Sequence, residues 1–321
     1  MKIKIKLSLI VLAIVVVIVA SIAVILLRQA TNISVDLSVK SLQNMTGQRG
    51  AFWKGREDGI FQMLHGVASI MGNYETMPPE ERRDRYDEML RVLLEDNTNF
   101  VRIFSIWKPN AMDGMDSRYI GRTGSTATGQ YAMTWGRDTG QIIPTPNLVV
   151  PEITAWLNGP DARKDRVETP TPFKVEGKDT LIFRFGVPII NKRTNEVVGN
   201  ITALLAIDRM QEVMMNTLNS LDDIYAMSIY AQDGTNRASF IPDRIGKKLI
   251  DVDLQYGPYR EQANQAVIEG KEFYCHSYAP LLKEMLHIVM VPIALANSEV
   301  KWSVMMGSAD SYILKEVNEI T

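Results

Sequence analysis

The sequence predicts an α+β protein: an apolar N-terminal helix, a long helix after it, and two antiparallel-sheet modules in tandem. Three observations predict this. Residues 7–27 carry no charge and are rich in Val, Ile and Leu, and about 20 such residues cross a bilayer as a helix. Residues 31–74 contain no proline and place apolar residues at spacings of three and four. Beyond residue 100 the pattern changes to strand-like runs separated by Gly, Asn and Asp turns. It does so twice, on either side of a helical stretch near residues 210–221.

The N-terminal run follows Lys2, Lys4 and Lys6, with only Arg28 close behind it. The positive-inside bias keeps residues 1–6 cytoplasmic and sends the rest of the chain outward. A cleaved signal peptide is the competing reading. Its apolar region spans about 7–15 residues before a small-residue site, and the run here is longer, with a poor site at Ala20, Ser21 and Ala23. An uncleaved anchor over residues 7–27 is therefore expected. The next apolar stretch, residues 288–296, is short and broken by Pro292, so it reads as a strand.

In the long helix, residues 28–75, Ile60, Met63, Leu64, Val67, Ile70, Met71 and Tyr74 form one stripe. About 45 residues at 1.5 Å each give a rod of roughly 70 Å. Gly47, Gly50, Gly55, Gly59 and Gly66 each weaken it by about 1 kcal/mol, so tertiary contacts are expected to hold it. Met77-Pro78-Pro79 ends the rod, and Pro79, Glu80 and Glu81 suit the first turn of a second helix running to about Glu95.

The first sheet module, residues 76–208, then reads as a mostly buried strand from 101 to 107. A Gly/Asp/Ser/Thr loop leads to a hairpin, 130–137 with 141–145. A short helix around Trp156 follows, then a second hairpin, 167–175 with 180–190, and a last strand, 197–207. The second module, residues 209–309, opens with a helix at 210–221. Strands 225–230 and 235–240 flank the turn Gln232-Asp233-Gly234-Thr235. A helix at 258–269 and strands 273–278, 286–293 and 302–307 complete it. Residues 310–321 read as a return helix directed towards the membrane.

Composition and motifs exclude several functions. A net charge of -2 gives no reason to expect nucleic acid. With Cys275 as the lone cysteine, an intrachain disulfide and a multi-cysteine metal site are impossible. No phosphate-binding glycine loop, dinucleotide fingerprint, zinc-protease motif or nucleophile elbow is present. His65, His276 and His287 lack metal-ligand spacing along the chain. Cys275-His276 makes a poor dyad, because neighbours on a strand face opposite ways. No catalytic residue, metal or cofactor is expected.

The loop NAMDGMDSRYIG, residues 110–121, raises a separate question. Asn110, Asp113 and Asp116 could turn inward on a cation, yet Asn, Asp and Gly are the usual turn formers. A structured turn at Asp113-Gly114 is the expectation. Aromatics are enriched in the first module: Trp107, Tyr131, Trp135, Trp156 and Phe173, with Arg137, Arg184 and Asp208 to place charge beside them. An apolar pocket with a few polar fixers is the general form of a small-ligand site, so these eight residues are the candidate binding set.

The order of elements resembles the extracytoplasmic double Cache (dCache) sensor of bacterial methyl-accepting chemotaxis receptors, a pair of PAS-like modules. The stretches that carry the resemblance are WKPNAMDGMDSRYIG with GQYAMTWGRDTGQIIPTP, ETPTPFKVEGKDTLIFRFGVPI with EVVGNITALLAID, IYAQDGTNRASFIPDRIGKKL, and KWSVMMGSADSYI. They span about residues 31–315. The resemblance implies a ligand-binding, membrane-distal first module and a membrane-proximal second one. It also implies a homodimer through the stalk helix and a helix shift passed across a bacterial inner membrane. In amino-acid-binding relatives an arginine precedes a clamp tryptophan by two places; Trp156 fits the tryptophan, but Thr154 stands at the arginine position. Asp208 matches the family's acidic residue at the end of the last strand. An aromatic cage with an acid suits an amine, whereas Arg137 or Arg184 suits a carboxylate. The family's second membrane helix, linker and signalling rod are not in this chain, so a sensor-only piece is expected. A histidine kinase or diguanylate cyclase output is an alternative. A membrane-tethered hydrolase or a tethered solute-binding protein are alternatives of another class.

Overall fold

The computed structural model describes residues 3–137, 139–146, 149–175 and 177–313, with side chains from Val11 onward. Helix α1, Ile3–Met71, is unbroken from the apolar run to the top of the first module. Its side chains from Val11 to Ala30 are exposed and packed against no other part of the protein, which a core helix of this hydropathy would not be. This segment has the length and composition of a membrane-crossing helix.

Full burial begins at Leu42. From there Thr46, Gly50, Trp53, Glu57, Phe61, Leu64, Ala68 and Met71 are buried at spacings of three and four, one face of the helix. The glycines divide into two kinds. Gly47, Gly55, Gly59 and Gly66 face open space, whereas a Cβ at Gly50 would touch Val291 and Ile293 at 3.0 and 3.2 Å. Close approach to the second sheet is thus needed at one of the five predicted positions. A capping turn and helix α2, Arg82–Asp96, follow.

The first sheet comprises β1 Phe100–Trp107, β2 Ala132–Gly136, β3 Ile143–Pro144, β4 Arg166–Val167, β5 Thr171–Val175, β6 Lys178–Ile190 and β7 Val197–Ala206. Its order is β3-β2-β1-β7-β6-β4, with β5 also paired to β6, and every pairing is antiparallel. Helix α3, Val150–Leu157, covers one face, and α1 and α2 cover the other. Helix α4, Ile207–Leu218, leads to the second sheet. That sheet holds β8 Ala226–Tyr230, β9 Asn236–Ser239, β10 Phe273–Ala279, β11 Glu284–Ala294 and β12 Lys301–Ala309, in the order β10-β11-β12-β8-β9. Helices α5, Leu249–Val252, and α6, Arg260–Glu269, lie beside it, and α7, Asp310–Ile313, leaves from its last strand. The rest of the expected return helix lies outside the described residues.

One core joins both modules to α1. Phe61 meets the Phe185 ring at 4.7 Å, and Phe185 stacks on Trp302 of β12 at 6.0 Å. At the same junction Arg237 of β9 is buried, with its guanidinium 3.9 Å from the Trp302 ring centroid. Glu57 of α1 is buried nearby, and burial pushes its carboxyl up to about 7 against the pull of Arg56 and Arg237. A polar tie closes the junction: His65 bonds Asp165, which accepts the Asn297 N–H at 3.0 Å.

The NAMDGMDSRYIG loop is built around a cation, but the cation is an arginine. Arg83 of α2 is fully buried and donates from Nε to Asp113 Oδ2 and from Nη2 to Asp116 Oδ1, both at 2.6 Å. Its Nη1 donates to the Gly129 oxygen at 2.8 Å, and its guanidinium lies 4.0 Å from the Tyr119 ring centroid. Burial alone would raise the Asp113 carboxyl; the Arg83 hydrogen bond, the Met115 N–H and the charges of Arg83 and Arg82 together outweigh it and hold Asp113 below the usual carboxylate range. Asn110 and Gly114 take positive φ of 59° and 72° to close the turn.

Candidate ligand-binding site

Strand parity decides which residues share a face. In β1, Ile103, Ser105 and Trp107 point to α1 and α2, and Arg102, Phe104 and Ile106 point to α3. The register extends this parity across the sheet. Gly136, Arg102, Leu204 and Arg184 form one row across β2, β1, β7 and β6, and Thr134, Phe104, Thr202 and Gly186 form the next. Gly186 leaves room there, since a Cβ would lie 2.7 Å from Thr202 Oγ1.

The eight sequence candidates therefore do not converge. Trp107 is fully buried on the α1/α2 side, edge-on to Tyr74 at 5.0 Å, and its indole N–H donates to Ser105 Oγ. Tyr131 is buried on the same side and donates to Asp87 Oδ1 at 2.8 Å. Burial and that carboxylate push the Tyr131 phenol far up. Trp135 donates its indole N–H to the Asp87 backbone oxygen. Arg137 binds the Leu94 and Asn97 carbonyls at the C-terminal end of α2, a usual partnership of a cation with a helix end. These four residues fasten α2 to the sheet. Asp208 is exposed in the first turn of α4 and accepts from Thr180 Oγ1 at 3.1 Å.

Trp156, Phe173 and Arg184 do share the α3 face, and three residues that pattern reading passed over stand with them: Arg102, Arg166 and Glu168. The Arg102 guanidinium lies 4.6 Å from the Phe173 ring centroid, and that of Arg166 lies 5.9 Å from Trp156. Arg184 bonds Glu168, Arg166 Nε reaches Glu168 Oε1 at 3.2 Å, and Arg166 also bonds Glu152. Among the described residues, Arg166 and Arg184 thus share Glu168, with Glu152 on the other side of Arg166. Arg184 Nε and Arg166 Nη1 are buried donors with no hydrogen-bond partner among the described residues, as are the hydroxyls of Thr134 and Thr145. Thr154, in the family's arginine position, shares a long bond with Gln130 at 3.4 Å. The available signal for Arg102 was a charge inside an otherwise apolar strand. Arg166 and Glu168 carried no local signal, because β4 is two residues long.

A second cluster lies at the far end of the second sheet. His276 of β10 and His287 of β11 are directly opposite each other, with rings stacked at 4.2 Å. Both reach Asp310 Oδ1 through Nε2, at 2.8 and 3.1 Å. Burial and the facing His276 depress the basicity of His287, with Asp310 opposing them.

No family model matches the sequence, and no curated protein matches it. Solved structures match its fold. The extracellular domain assigned to the histidine kinase mmHK1S-Z3 is 19% identical with a TM-score of 0.67, covering 90% of this chain and 99% of that one. The periplasmic sensory domain of the Campylobacter jejuni chemoreceptor Tlp1 is 13% identical with a TM-score of 0.62, covering 86% and 98%. The ligand-binding domain of the Pseudomonas fluorescens chemoreceptor CtaA, in complex with L-isoleucine, is 13% identical with a TM-score of 0.58, covering 89% and 98%. The fold is thus that of Cache-type extracellular sensor domains of chemoreceptors and histidine kinases, as the sequence resemblance implied. In this chain that fold follows one N-terminal helix able to cross a membrane.

Proposed function

We propose that the chain is the extracytoplasmic sensor region of a transmembrane chemoreceptor, and that it binds a small carboxylate-bearing solute on the α3 face of the first sheet. One observation carries the ligand class: among the described residues, Arg184 Nε and Arg166 Nη1 are buried donors with no acceptor of their own, beside Arg102 and two aromatic rings. A carboxylate offers acceptors only and suits a guanidinium fork. The L-isoleucine in the CtaA structure bears such a group. On this reading the bound solute draws α3 towards the sheet, and α1 carries the change to the membrane, in a homodimer formed through the stalk. The protein makes no covalent bond to its ligand and sits in a bacterial inner membrane with its bulk outside.

The test is a thermal-shift screen of the full chain in detergent micelles against carboxylates, amino acids and amines. Binding to the native state raises apparent stability by about 2.7 kcal/mol at a hundredfold excess over Kd. The expected hit is a carboxylate whose shift disappears in Arg184→Ala and persists in Asp208→Ala. A hit confined to amines, or one indifferent to Arg184 and Arg102, overturns the reading. The mmHK1S-Z3 likeness supports a kinase output as the second reading. Autophosphorylation by the receptor itself, in place of modulation of a separate kinase, would select it.

A further inference from the structure

We propose that His276, His287 and Asp310 form a binding site for a divalent transition-metal ion of borderline softness, with Zn²⁺ as its best representative. The three ligand atoms lie within 4.8 Å of one another. The edge of a tetrahedral zinc site with bonds of about 2.0 Å is roughly 3.3 Å. The Nε2–Oδ1 separations of 2.8 and 3.1 Å are already within a few tenths of an ångström of that edge.

Three features make this a built site and not a chance ion pair. The β10–β11 register sets the two imidazoles face to face, so their positions are fixed by backbone hydrogen bonds. Both turn the same nitrogen, Nε2, towards a single carboxylate oxygen. The other nitrogen of His287 is held by a partner of its own, with Tyr274 Oη 2.8 Å from Nδ1. Metal-bound histidines are characteristically oriented this way, the distal N–H donating to an oxygen. His287 is buried and Asp310 half-buried, whereas His276 is exposed, which leaves an approach from solvent. In the bound form each imidazole coordinates through Nε2 and carries its proton on Nδ1, where Tyr274 accepts that of His287. Two imidazoles and one carboxylate leave at least one coordination position for water or an external ligand. Oxygen-seeking Mg²⁺ and Ca²⁺ are not suited to two imidazole ligands.

The position of the site gives binding a structural result. Asp310 is the first residue of α7, the helix that leaves the second sheet, and the Ser311 N–H is held by Glu284 of β11 at 3.0 Å. A bound ion would cross-link β10, β11 and the start of that helix. The site lies on the second sheet, whereas the carboxylate face proposed above lies on the first, and it does not depend on that face.

Isothermal titration of the untagged full chain in detergent with ZnCl₂, and with MgCl₂ for comparison, tests the assignment. One Zn²⁺ per chain is expected, with no comparable Mg²⁺ binding. His276→Gln, on the exposed side, should weaken binding by more than about 100-fold, and Tyr274→Phe by about 10–100-fold, the range for losing an outer-sphere partner. Co²⁺ should give the visible absorption of a four- or five-coordinate site in the wild type and not in His276→Gln. Circular dichroism of His276→Gln shows whether it is folded, so the decision does not rest on the buried His287. Absence of saturable Zn²⁺ binding by the wild type, or equal binding by folded His276→Gln, overturns the proposal.

Discussion

Arg237 Nη2 donates to the backbone oxygen of Glu168 at 2.7 Å, and so ties the second sheet to the residue whose carboxylate holds Arg184 and Arg166. The bond crosses the boundary between the two modules, and Arg237 is buried under Trp302 and beside Phe183. Arg237→Ala removes this bond and the cation facing Glu57. A loss of about 3 kcal/mol or more in chemical denaturation is expected, as for a buried charge deprived of its partner. In the Glu57→Gln background the same change should cost measurably less, because the two groups interact.

Glu57 also sets a pH dependence. Its folded carboxyl is raised to about 7 by burial, above the ordinary glutamate value of about 4.3. The folded state therefore binds more protons between those values. Stability is full below about pH 4.3, falls as pH rises through about 7, and is level above it. The loss is up to about 4 kcal/mol, at 1.36 kcal/mol for each pKa unit. Urea denaturation at pH 5 and pH 8, with Glu57→Gln as control, measures it; an equal slope in the variant would place the titration elsewhere.

Arg83 is expected to be indispensable to the first module. Arg83→Ala leaves the Asp113 and Asp116 carboxylates unpaired, and about 3–5 kcal/mol should be lost. Asp113→Asn keeps an acceptor for Arg83 and should cost less than half as much. Neither change should alter affinity for a ligand on the α3 face, since the cluster lies on the opposite side of the sheet. Equilibrium unfolding and a ligand titration together test both points.

On the α3 face, Arg184→Ala should weaken carboxylate binding by about 30-fold or more, the cost of removing one partner of a buried charge pair. Trp156→Ala should weaken it less, because its ring is only partly buried and contributes apolar cover. Trp135→Phe loses the bond to the Asp87 oxygen and part of the ring's packing on the core, and should lower stability by about 1–3 kcal/mol without changing affinity. A titration in which Trp135→Phe weakened binding as much as Arg184→Ala would assign the site to the other face.

Element extents were legible because period and turn chemistry are local. The turn at Gln232-Asp233-Gly234-Thr235 and the switch to alternation at residue 100 mark strand ends without reference to partners. Site membership was not legible, because it depends on parity and register. Trp107 and Phe104 belong to the same strand, and which of them faces a ligand is decided by where α2 and α3 dock. Arg137 looked like a ligand clamp until the end of α2 supplied the carbonyls it binds. His276 and His287 showed no motif because their adjacency comes from the β10–β11 register. The Asp113–Asp116 loop read as a turn, which it is, but its buried cationic partner was 30 residues upstream in another helix.

At Gly50 the long helix rests directly on the second sheet, with Val291 and Ile293 in the space a side chain would take. The same face of the helix stays buried from Leu42 to Met71, and Phe61 packs on Phe185 of the first sheet about 16 Å further along. One rod is therefore seated on both sheets at once. A larger side chain at position 50 would act as a wedge, lifting the rod from one seat while leaving the residues of the other unchanged.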